Sequence, residues 1–227
     1  MITSTILFTI EQGIGHLILN QPPSNKMSLD FFIEFNEMID KIRHTNDIRA
    51  LVLSGKGRHF SSGADLPALL KEINSKSQVD QKGKIIIEPD FLSENYKAFL
   101  MLENLNIPVI AAIRGVCLGS ALELALFSHF RFSGEDGVFG LPETSFNLIP
   151  GLGGITKVSS LAGKANAIEL VLKGKTFTAF EALKLNLIDR MLPKREVLQQ
   201  SFDFARSISG DYHKEKRKLY LRNYFTS

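Results

Sequence analysis

The fold is decided by IPVIAAIRGVCLGSALELAL, residues 107–126. Its first half is a short apolar run that ends in glycine, as a buried strand does. Its second half, from LGS onward, has the composition of a helix. A buried strand that leads through a glycine turn into a helix indicates an α/β architecture.

The residues before this stretch repeat the same alternation. Two β-rich runs in ILFTIEQGIGHLILNQPP, residues 6–23, are joined at Gly13 and Gly15 and predict a hairpin. Apolar residues recur every three or four positions from 28 to 43, which predicts an amphipathic helix with Ser28 as its N-cap. RALVLSG, residues 49–55, predicts a buried strand. Residues 71–95 lose this periodicity and predict an irregular segment.

The residues after the deciding stretch are mostly helical in pattern. GKANAIELVLKG, residues 163–174, and TAFEALKLNLID, residues 178–189, each predict a helix. We therefore expect one α/β core over residues 1–193 and a short basic helical C-terminal segment over residues 194–227. The stretch HKEKRKLYLR, residues 213–222, carries the basic charge and is interpreted either as a solvated helix or as a phosphate-binding surface.

Composition narrows the functional classes. The chain has 227 residues, 44% of them hydrophobic, and a net charge of +3, which is typical of a globular protein and does not favour nucleic-acid binding. Cys117 is the only cysteine, and the five histidines share no ligand spacing, so we expect no metal. The first residues show neither a basic leader nor a long apolar run, so we expect no membrane span and a cytoplasmic location.

Three segments place glycine or small residues where a strand gives way to a helix: residues 57–66, 113–126 and 139–154. The first amide N–H groups of a helix have no intrahelical acceptor, and the helix dipole attracts negative charge to that end. Two such turns that face each other would form an oxyanion hole.

Two glutamates stand in these segments, and each has two interpretations. Glu123 lies three residues after Ser120, the spacing of a capping box, yet its neighbours are apolar, and a carboxyl group buried among them should have a raised pKa. Glu143 follows Pro142 and is either a solvated loop residue or a catalytic one. The residues alone leave both questions open.

The three segments taken together resemble the signature regions of a known family. GRHFSSGAD, residues 57–65, the deciding stretch, and the segment that begins LPETSF at residue 141 follow the order and separations of the enoyl-CoA hydratase/isomerase (crotonase) family. The resemblance covers residues 5–193. It implies a crotonase-like β-β-α spiral with a shortened helical C-terminal section, assembled as a homotrimer or a dimer of trimers.

The resemblance also implies a site for a coenzyme A thioester, which is the substrate, so no separate cofactor is expected. The backbone N–H groups of Ala64 and Ser120 would form the oxyanion hole. Asp65, Leu66 and Pro67 would line the coenzyme A path together with Ala64. Family members usually have glycine where Ser120 stands, so this chain adds a hydroxymethyl group beside the thioester.

Both glutamates of the hydratases in this family are present as Glu123 and Glu143. They would position a water for attack at C3 of a 2-enoyl thioester, with Glu143 supplying the proton at C2 and Gly151 seating the water. The resemblance therefore favours an enoyl-CoA hydratase, a lyase of fatty acid metabolism.

Relatives of other activity differ at the same positions. Dienoyl isomerases have aspartate where this chain has Gly151, and single-base enoyl isomerases usually lack the glutamate that corresponds to Glu123. Two alternatives to a hydratase are an enoyl isomerase and a carrier-protein-linked dehydratase or decarboxylase of the same family. A further alternative, of another class, is a non-catalytic acyl-CoA-binding or assembly subunit.

Overall fold

The computed structural model describes residues 4–65, 67–68, 71, 78–79, 85–86 and 90–210. The strands are β1 Ile6–Glu11, β2 Ile14–Leu19, β3 Ala50–Gly55, β4 Gln78–Val79, β5 Ile85–Ile86, β6 Val109–Ile113, β7 Val116–Leu118, β8 Phe130–Gly134, β9 Val138–Gly140, β10 Phe177–Thr178 and β11 Arg190–Leu192. The α-helices are α1 Leu29–Arg43, α2 Asp90–Glu103, α3 Ser120–Leu126, α4 Gly154–Ala162, α5 Lys164–Lys173, α6 Ala179–Lys184 and α7 Val197–Ile208. A 3₁₀ helix spans Pro142–Phe146.

The main sheet has six strands in the order β1-β2-β3-β6-β8-β11. Only β1 and β2 are antiparallel, and the remaining neighbours pair in parallel. A smaller sheet has the order β10-β9-β7, in which β7 and β9 are parallel. Strands joined by helical crossovers account for the parallel pairing, and the predicted α/β class is confirmed.

The central strand β3 supplies two hydrophobic cores, because successive side chains of a strand point to opposite faces. Leu51 and Leu53 belong to the larger core, under α1 and α2. Ala50 and Val52 belong to a second core on the other face, where α7 packs. All six residues of β3 are buried, as the apolar run at residues 49–55 predicts.

The N-terminal predictions are confirmed with one change. The hairpin forms, and its turn is made by Gln12 and Gly13, which have φ of 52° and 78°. Gly15 lies inside β2 rather than in the turn. Helix α1 begins as expected, since the Ser28 side chain accepts a hydrogen bond from the Phe31 N–H at 3.3 Å.

The segment predicted to be irregular, residues 71–95, is partly regular. Helix α2 begins at Asp90, so the prediction is wrong for residues 90–95. Strands β4 and β5 form a short antiparallel pair within the same segment. The amphipathic pattern of α2 starts only after Asp90, and two-residue strands leave no periodicity to detect. Most of residues 72–89 lie outside the described residues.

The C-terminal helices follow the sequence pattern, with α5 and α6 inside the predicted ranges. The basic stretch 213–222 lies outside the described residues, and the division at residue 193 stays a prediction. Across the described ranges, none of the helices combines the length and the apolar character that crossing a bilayer demands.

Candidate active site

Two backbone segments that the sequence separates by more than fifty residues lie side by side. The Ser61 N–H donates to the Val116 carbonyl at 3.0 Å, and the Leu118 N–H donates back to the Ser61 carbonyl at 3.2 Å. These bonds join Ser61 to β7 in a parallel bridge. The turn after Ser61 is therefore held against the turn that starts α3.

Gly63 shows how close the two turns come. Its φ is +87°, and a Cβ on it would lie 2.5 Å from the Leu118 carbonyl oxygen and 3.4 Å from the Ser120 nitrogen. Only glycine fits there, which brings Ala64 next to Ser120. Within the described part of the chain, the N–H groups of Ala64 and Ser120 donate to no protein acceptor.

The start of α3 contradicts the capping-box interpretation. The N-cap is Gly119, with φ 54° and ψ −128°, and no side chain caps the helix. Ser120 is thus the first helical residue, so its hydroxyl is not at the N-cap. The N-cap amide, that of Gly119, donates to the Gly140 carbonyl at 2.9 Å instead of to Glu123. The backbone conformation at Gly119 decides against the capping box, and the S-x-x-E spacing does not reveal that conformation.

Glu123 is instead held by the glycine-dense corner at residues 149–154. The side chain is 1% exposed, and its Oε1 accepts the N–H groups of Leu152 at 2.9 Å and Gly154 at 2.8 Å. Gly154 begins α4, so the carboxylate sits at a helix N-terminus. A Cβ on Gly154 would lie 2.7 Å from Glu123 Cγ, which explains the glycine there.

Glu143 lies in the 3₁₀ helix and is 8% exposed, so its interpretation as a solvated loop residue is wrong. A Cβ on Gly119 would lie 2.8 Å from Glu143 Oε1, so the carboxyl group rests over the turn that begins α3. Glu143 Oε2 is buried and has no hydrogen-bond partner among the described residues. The carboxyl group is therefore available to a substrate.

Burial raises the pKa of both carboxyl groups. The pKa of Glu123 is raised from its ordinary 4.5 to about 7, because desolvation and repulsion from Glu143 together outweigh the N–H donors of Gly154 and Leu152, which lower it. Desolvation also raises the pKa of Glu143. A carboxyl group whose pKa is about 7, as that of Glu123 is, can give or take a proton near pH 7.

A cavity of about 510 Å³ opens between these groups. The structure brings six of the predicted site residues to its wall: Ala64, Pro67, Ser120, Glu123, Glu143 and Gly151. The described residue Asp65 is not in the wall, and its carboxylate lies 3.7 Å from Lys26 Nζ. Leu66, predicted beside it, lies outside the described residues.

Several residues of the wall were not predicted from the sequence. They are apolar side chains from α1, α2, the end of the 3₁₀ helix and residues 148–152, together with one cation: Phe32, Leu92, Phe146, Leu148, Ile149, Leu152 and Lys26. No motif marks them, because they reach the cavity only once α1 and α2 pack over it. The described residues contain no group of three or more His, Cys, Asp or Glu side chains that could hold a metal ion.

Comparison with known proteins agrees with the geometry. A family model described as enoyl-CoA hydratase/isomerase matches residues 9–219. The chain is 33% identical over 206 residues to the peroxisomal Δ(3,5)-Δ(2,4)-dienoyl-CoA isomerase of Arabidopsis thaliana, covering 88% of the chain and 73% of that protein. It is 32% identical over 187 residues to a probable enoyl-CoA hydratase of Bacillus subtilis, covering 82% and 68%.

Longer relatives and a solved structure match the same region. The chain is 35% identical to the fatty acid oxidation complex subunit alpha of Shewanella sp. strain ANA-3, of which it spans only 27%. The crystal structure of enoyl-CoA hydratase from Bacillus anthracis superposes with a TM-score of 0.78 at 28% identity, over 90% of this chain and 76% of that one.

The raised pKa of Glu123 makes stability depend on pH. In the folded state the Glu123 carboxyl group keeps its proton up to about pH 7, whereas in the unfolded state it loses that proton near pH 4.5. The free energy of unfolding should therefore fall by about 3 kcal/mol as the pH rises from 4.5 to 7. Glu123→Gln keeps an oxygen for both N–H donors and removes the charge. We expect it to be nearly neutral at pH 5 and stabilising at pH 8, measured by urea unfolding.

The control for this measurement is Glu135→Gln, which changes an exposed carboxylate. This substitution should change the free energy of unfolding only slightly at both pH 5 and pH 8. An equal effect of Glu123→Gln at pH 5 and pH 8 would contradict the electrostatic description of the site.

Proposed function

Because the chain belongs to the enoyl-CoA hydratase/isomerase family, matched over residues 9–219, we propose that it adds water across the double bond of a 2-enoyl-CoA thioester. It is an acyl-CoA enzyme of the crotonase type. The observation that carries the proposal is the pairing of Glu123 and Glu143, both buried, in the wall of one cavity beside the N–H groups of Ala64 and Ser120.

The two N–H groups are proposed to bind the thioester oxygen. Attack at C3 moves electrons onto that oxygen as an enolate forms, and preorganised N–H donors stabilise the developing charge. Contact of Gly63 with β7 supports this assignment, since it fixes the distance between Ala64 and Ser120 before substrate arrives. The absence of protein acceptors for these N–H groups among the described residues supports it as well.

The glutamates are proposed to share one proton. Glu123, ionised, takes a proton from the water whose oxygen bonds to C3, while Glu143, protonated, gives its proton to C2. The N–H groups of Leu152 and Gly154 engage Oε1 of Glu123 and leave its other oxygen for the water. Mutual repulsion favours one proton on the pair, which is the charge state that this division of roles needs.

An isomerase is the second candidate, because the dienoyl-CoA isomerase of Arabidopsis thaliana is among the most similar relatives. The same pair of carboxyl groups could remove a proton from one carbon of a dienoyl thioester and return it to another. The aspartate expected of such isomerases is replaced here by Gly151, where the nearest atoms to a Cβ would belong to Leu92 and the Ile149 carbonyl, at 3.4–3.9 Å. Hydration is therefore the function we favour.

We also propose that the chain works as a homotrimer or a dimer of trimers, in the cytoplasm. The support is an exposed apolar surface on α5, where Ile168 and Leu172 are 54% and 72% exposed one helical turn apart. Ile155 of α4 is also exposed. An exposed apolar stripe that lies about 100° around the helix from the buried Ala167 and Val171 is typical of a protein interface.

Replacement of one residue tests the oxyanion hole. Ser120→Pro removes the N–H at the first position of α3, where proline is tolerated, so the helix should persist. We expect kcat for crotonyl-CoA hydration to fall about 10²- to 10³-fold, the usual cost of losing one such donor. Ser120→Gly, which keeps the N–H, is the matched control and should retain the wild-type rate. Similar rates for the two variants, both folded by circular dichroism, would refute the assignment.

The proton donor is tested with Glu143→Gln. The amide cannot deliver a proton to C2, so kcat should fall by about 10²- to 10⁴-fold with little change in KM. Loss of crotonyl-CoA absorbance measures hydration, and a 3,5-dienoyl-CoA assayed in parallel measures isomerisation. Glu135→Gln is the control. If Glu143→Gln hydrates crotonyl-CoA at the wild-type rate, Glu143 is not the proton donor. If the wild-type protein turns over only the dienoyl substrate, the protein is an isomerase and not a hydratase.

Assembly is tested on the α5 surface. Leu172→Glu places a charge at the more exposed residue of the apolar stripe and should convert trimers to monomers in sedimentation velocity, because burying an unpaired carboxylate in an interface is costly. The control is Ile10→Glu, a similar change on the edge strand β1. A wild-type protein that sediments as a monomer at every concentration would overturn the proposed assembly.

A further inference from the structure

The two donors to Glu123 belong to the start of another helix, so the environment of this carboxyl group depends on where that helix begins. The N–H groups of Leu152 and Gly154 reach Glu123 Oε1 at 2.9 Å and 2.8 Å, and Gly154 is the first residue of α4. The N-cap of α4 is Gly153, and no side chain caps the helix there. Contacts other than a cap therefore fix the first turn of α4.

Phe127 packs against this N-cap. A Cβ on Gly153 would lie 2.8 Å from Phe127 Cζ, and the Phe127 side chain is 1% exposed. Phe127 is the C-cap of α3 and lies four positions after Glu123, about one helical turn away. The Phe127 ring and the Glu123 carboxyl group therefore contact consecutive residues at the start of α4, which are Gly153 and Gly154.

Lys157 ties the first turn of α4 to two other helices. Its N–H donates to the Gly153 carbonyl at 3.0 Å, which closes the turn. Its Nζ lies 4.5 Å from the centre of the Phe127 ring and forms an ion pair with Glu103, the last residue of α2. The Lys157 side chain is only 18% exposed, so water screens this pair less than it screens a surface pair.

Glu103 is anchored in turn to the main sheet. The Val109 N–H, at the start of β6, donates to His129 Nδ1 at 2.9 Å, so the proton of the neutral imidazole is on Nε2. His129 Nε2 donates to the Glu103 carbonyl at 2.9 Å. The last carbonyls of a helix have no intrahelical donor, and His129 supplies one. The ion pair with Lys157 therefore connects α4 to the sheet through a fixed residue.

We propose that Lys157 and Glu103 are positioning residues, whose ion pair holds the first turn of α4 so that its N–H groups stay on the Glu123 carboxylate. For its effect on catalysis, this inference rests on the proposed function, in which ionised Glu123 is the base. The Lys157 ammonium group pairs with Glu103, and the charge that acts on Glu123 is that of Glu143. The pair therefore acts through the backbone donors.

The pKa of Glu123 reports whether its donors stay in place, because N–H groups stabilise the ionised carboxylate. An NMR titration of the protein with ¹³C-labelled glutamate measures this pKa, and the spectrum of Glu123→Gln assigns the signal. Lys157→Met and Glu103→Gln each break the ion pair. We expect each to raise the pKa of Glu123 above about 7, by about one pH unit, because a hydrogen bond to the ionised form weakens.

The two substitutions remove charges of opposite sign, and this distinguishes positioning from a direct effect of charge. A direct effect would raise the pKa of Glu123 in Lys157→Met and lower it in Glu103→Gln. A rise in both variants supports the inference, whereas opposite shifts or an unchanged pKa in both would overturn it. The double variant should raise the pKa no further than Lys157→Met does, because both changes break the same pair.

Two controls keep the charge at position 157. Lys157→Arg also keeps a cation over the ring and should leave the pKa of Glu123 near 7. Lys194→Met breaks a different ion pair, with Asp136, and should leave it near 7 as well. Glu103 is 37% exposed, so Glu103→Gln should fold even if Lys157→Met does not. The direction of the shift in Glu103→Gln then decides alone.

Hydrogen exchange of the Gly154 amide gives a second readout. In Lys157→Met and Glu103→Gln the exchange should be about tenfold faster than in wild type, because the first turn of α4 opens more often. Exchange in Lys194→Met should match wild type. Equal exchange rates in all the variants would contradict a role of the ion pair in holding this turn.

These measurements need no turnover, so their failure and that of the proposed function are distinguishable. If crotonyl-CoA is not hydrated but both variants raise the pKa of Glu123, the reaction is wrong and the positioning role stands. If hydration is observed and the pKa is unchanged in both variants, the positioning role is wrong and the reaction stands. Where both hold, the acidic limb of the kcat/KM profile should move to higher pH with the pKa of Glu123.

Discussion

The two hydrogen bonds from Leu152 and Gly154 to Glu123 determine the arrangement of the whole site. A carboxyl group in the middle of the apolar helix α3 would be costly to bury without donors, and these N–H groups supply them. The same bonds fix the corner at residues 149–154 against α3, start α4 at Gly154 and set Gly151 beside the cavity. The buried acid and the glycine-dense corner thus hold each other in place, and the result is a carboxyl group whose pKa is about 7.

A second constraint acts on the opposite side of the cavity. The bridge between Ser61 and Cys117 aligns two strand-to-helix turns, and the glycine at position 63 lets them approach until Ala64 and Ser120 are neighbours. Both turns follow strands of the sheets, β3 and β7, so their positions are set by a frame of buried backbone hydrogen bonds rather than by flexible loops. Donors fixed in this way need little reorganisation when charge develops on a bound oxygen.

Much of the fold could be predicted because local spacing determines it. The hairpin, α1, β3, β6 and the C-terminal helices follow from periods of two and of 3.6 residues, which are properties of neighbouring residues. The start of α2 within residues 71–95 could not be predicted in this way, nor could β4 and β5, which are too short to show a period. The three glycine-bearing turns were also recognisable, since a change of element at a glycine is a local feature.

The sequence by itself determined the α/β class, the family resemblance and the identity of two candidate glutamates. It left the role of each glutamate open, because S-x-x-E spacing fits a capping box and a buried acid equally well. Only the tertiary structure decided between them: Gly119 takes the N-cap position, and the donors to Glu123 come from residues 29 and 31 positions further along the chain. The apolar wall around Leu92 was likewise decided by packing, since helices that are distant in sequence meet there, and no local pattern encodes which of their side chains will face the same cavity.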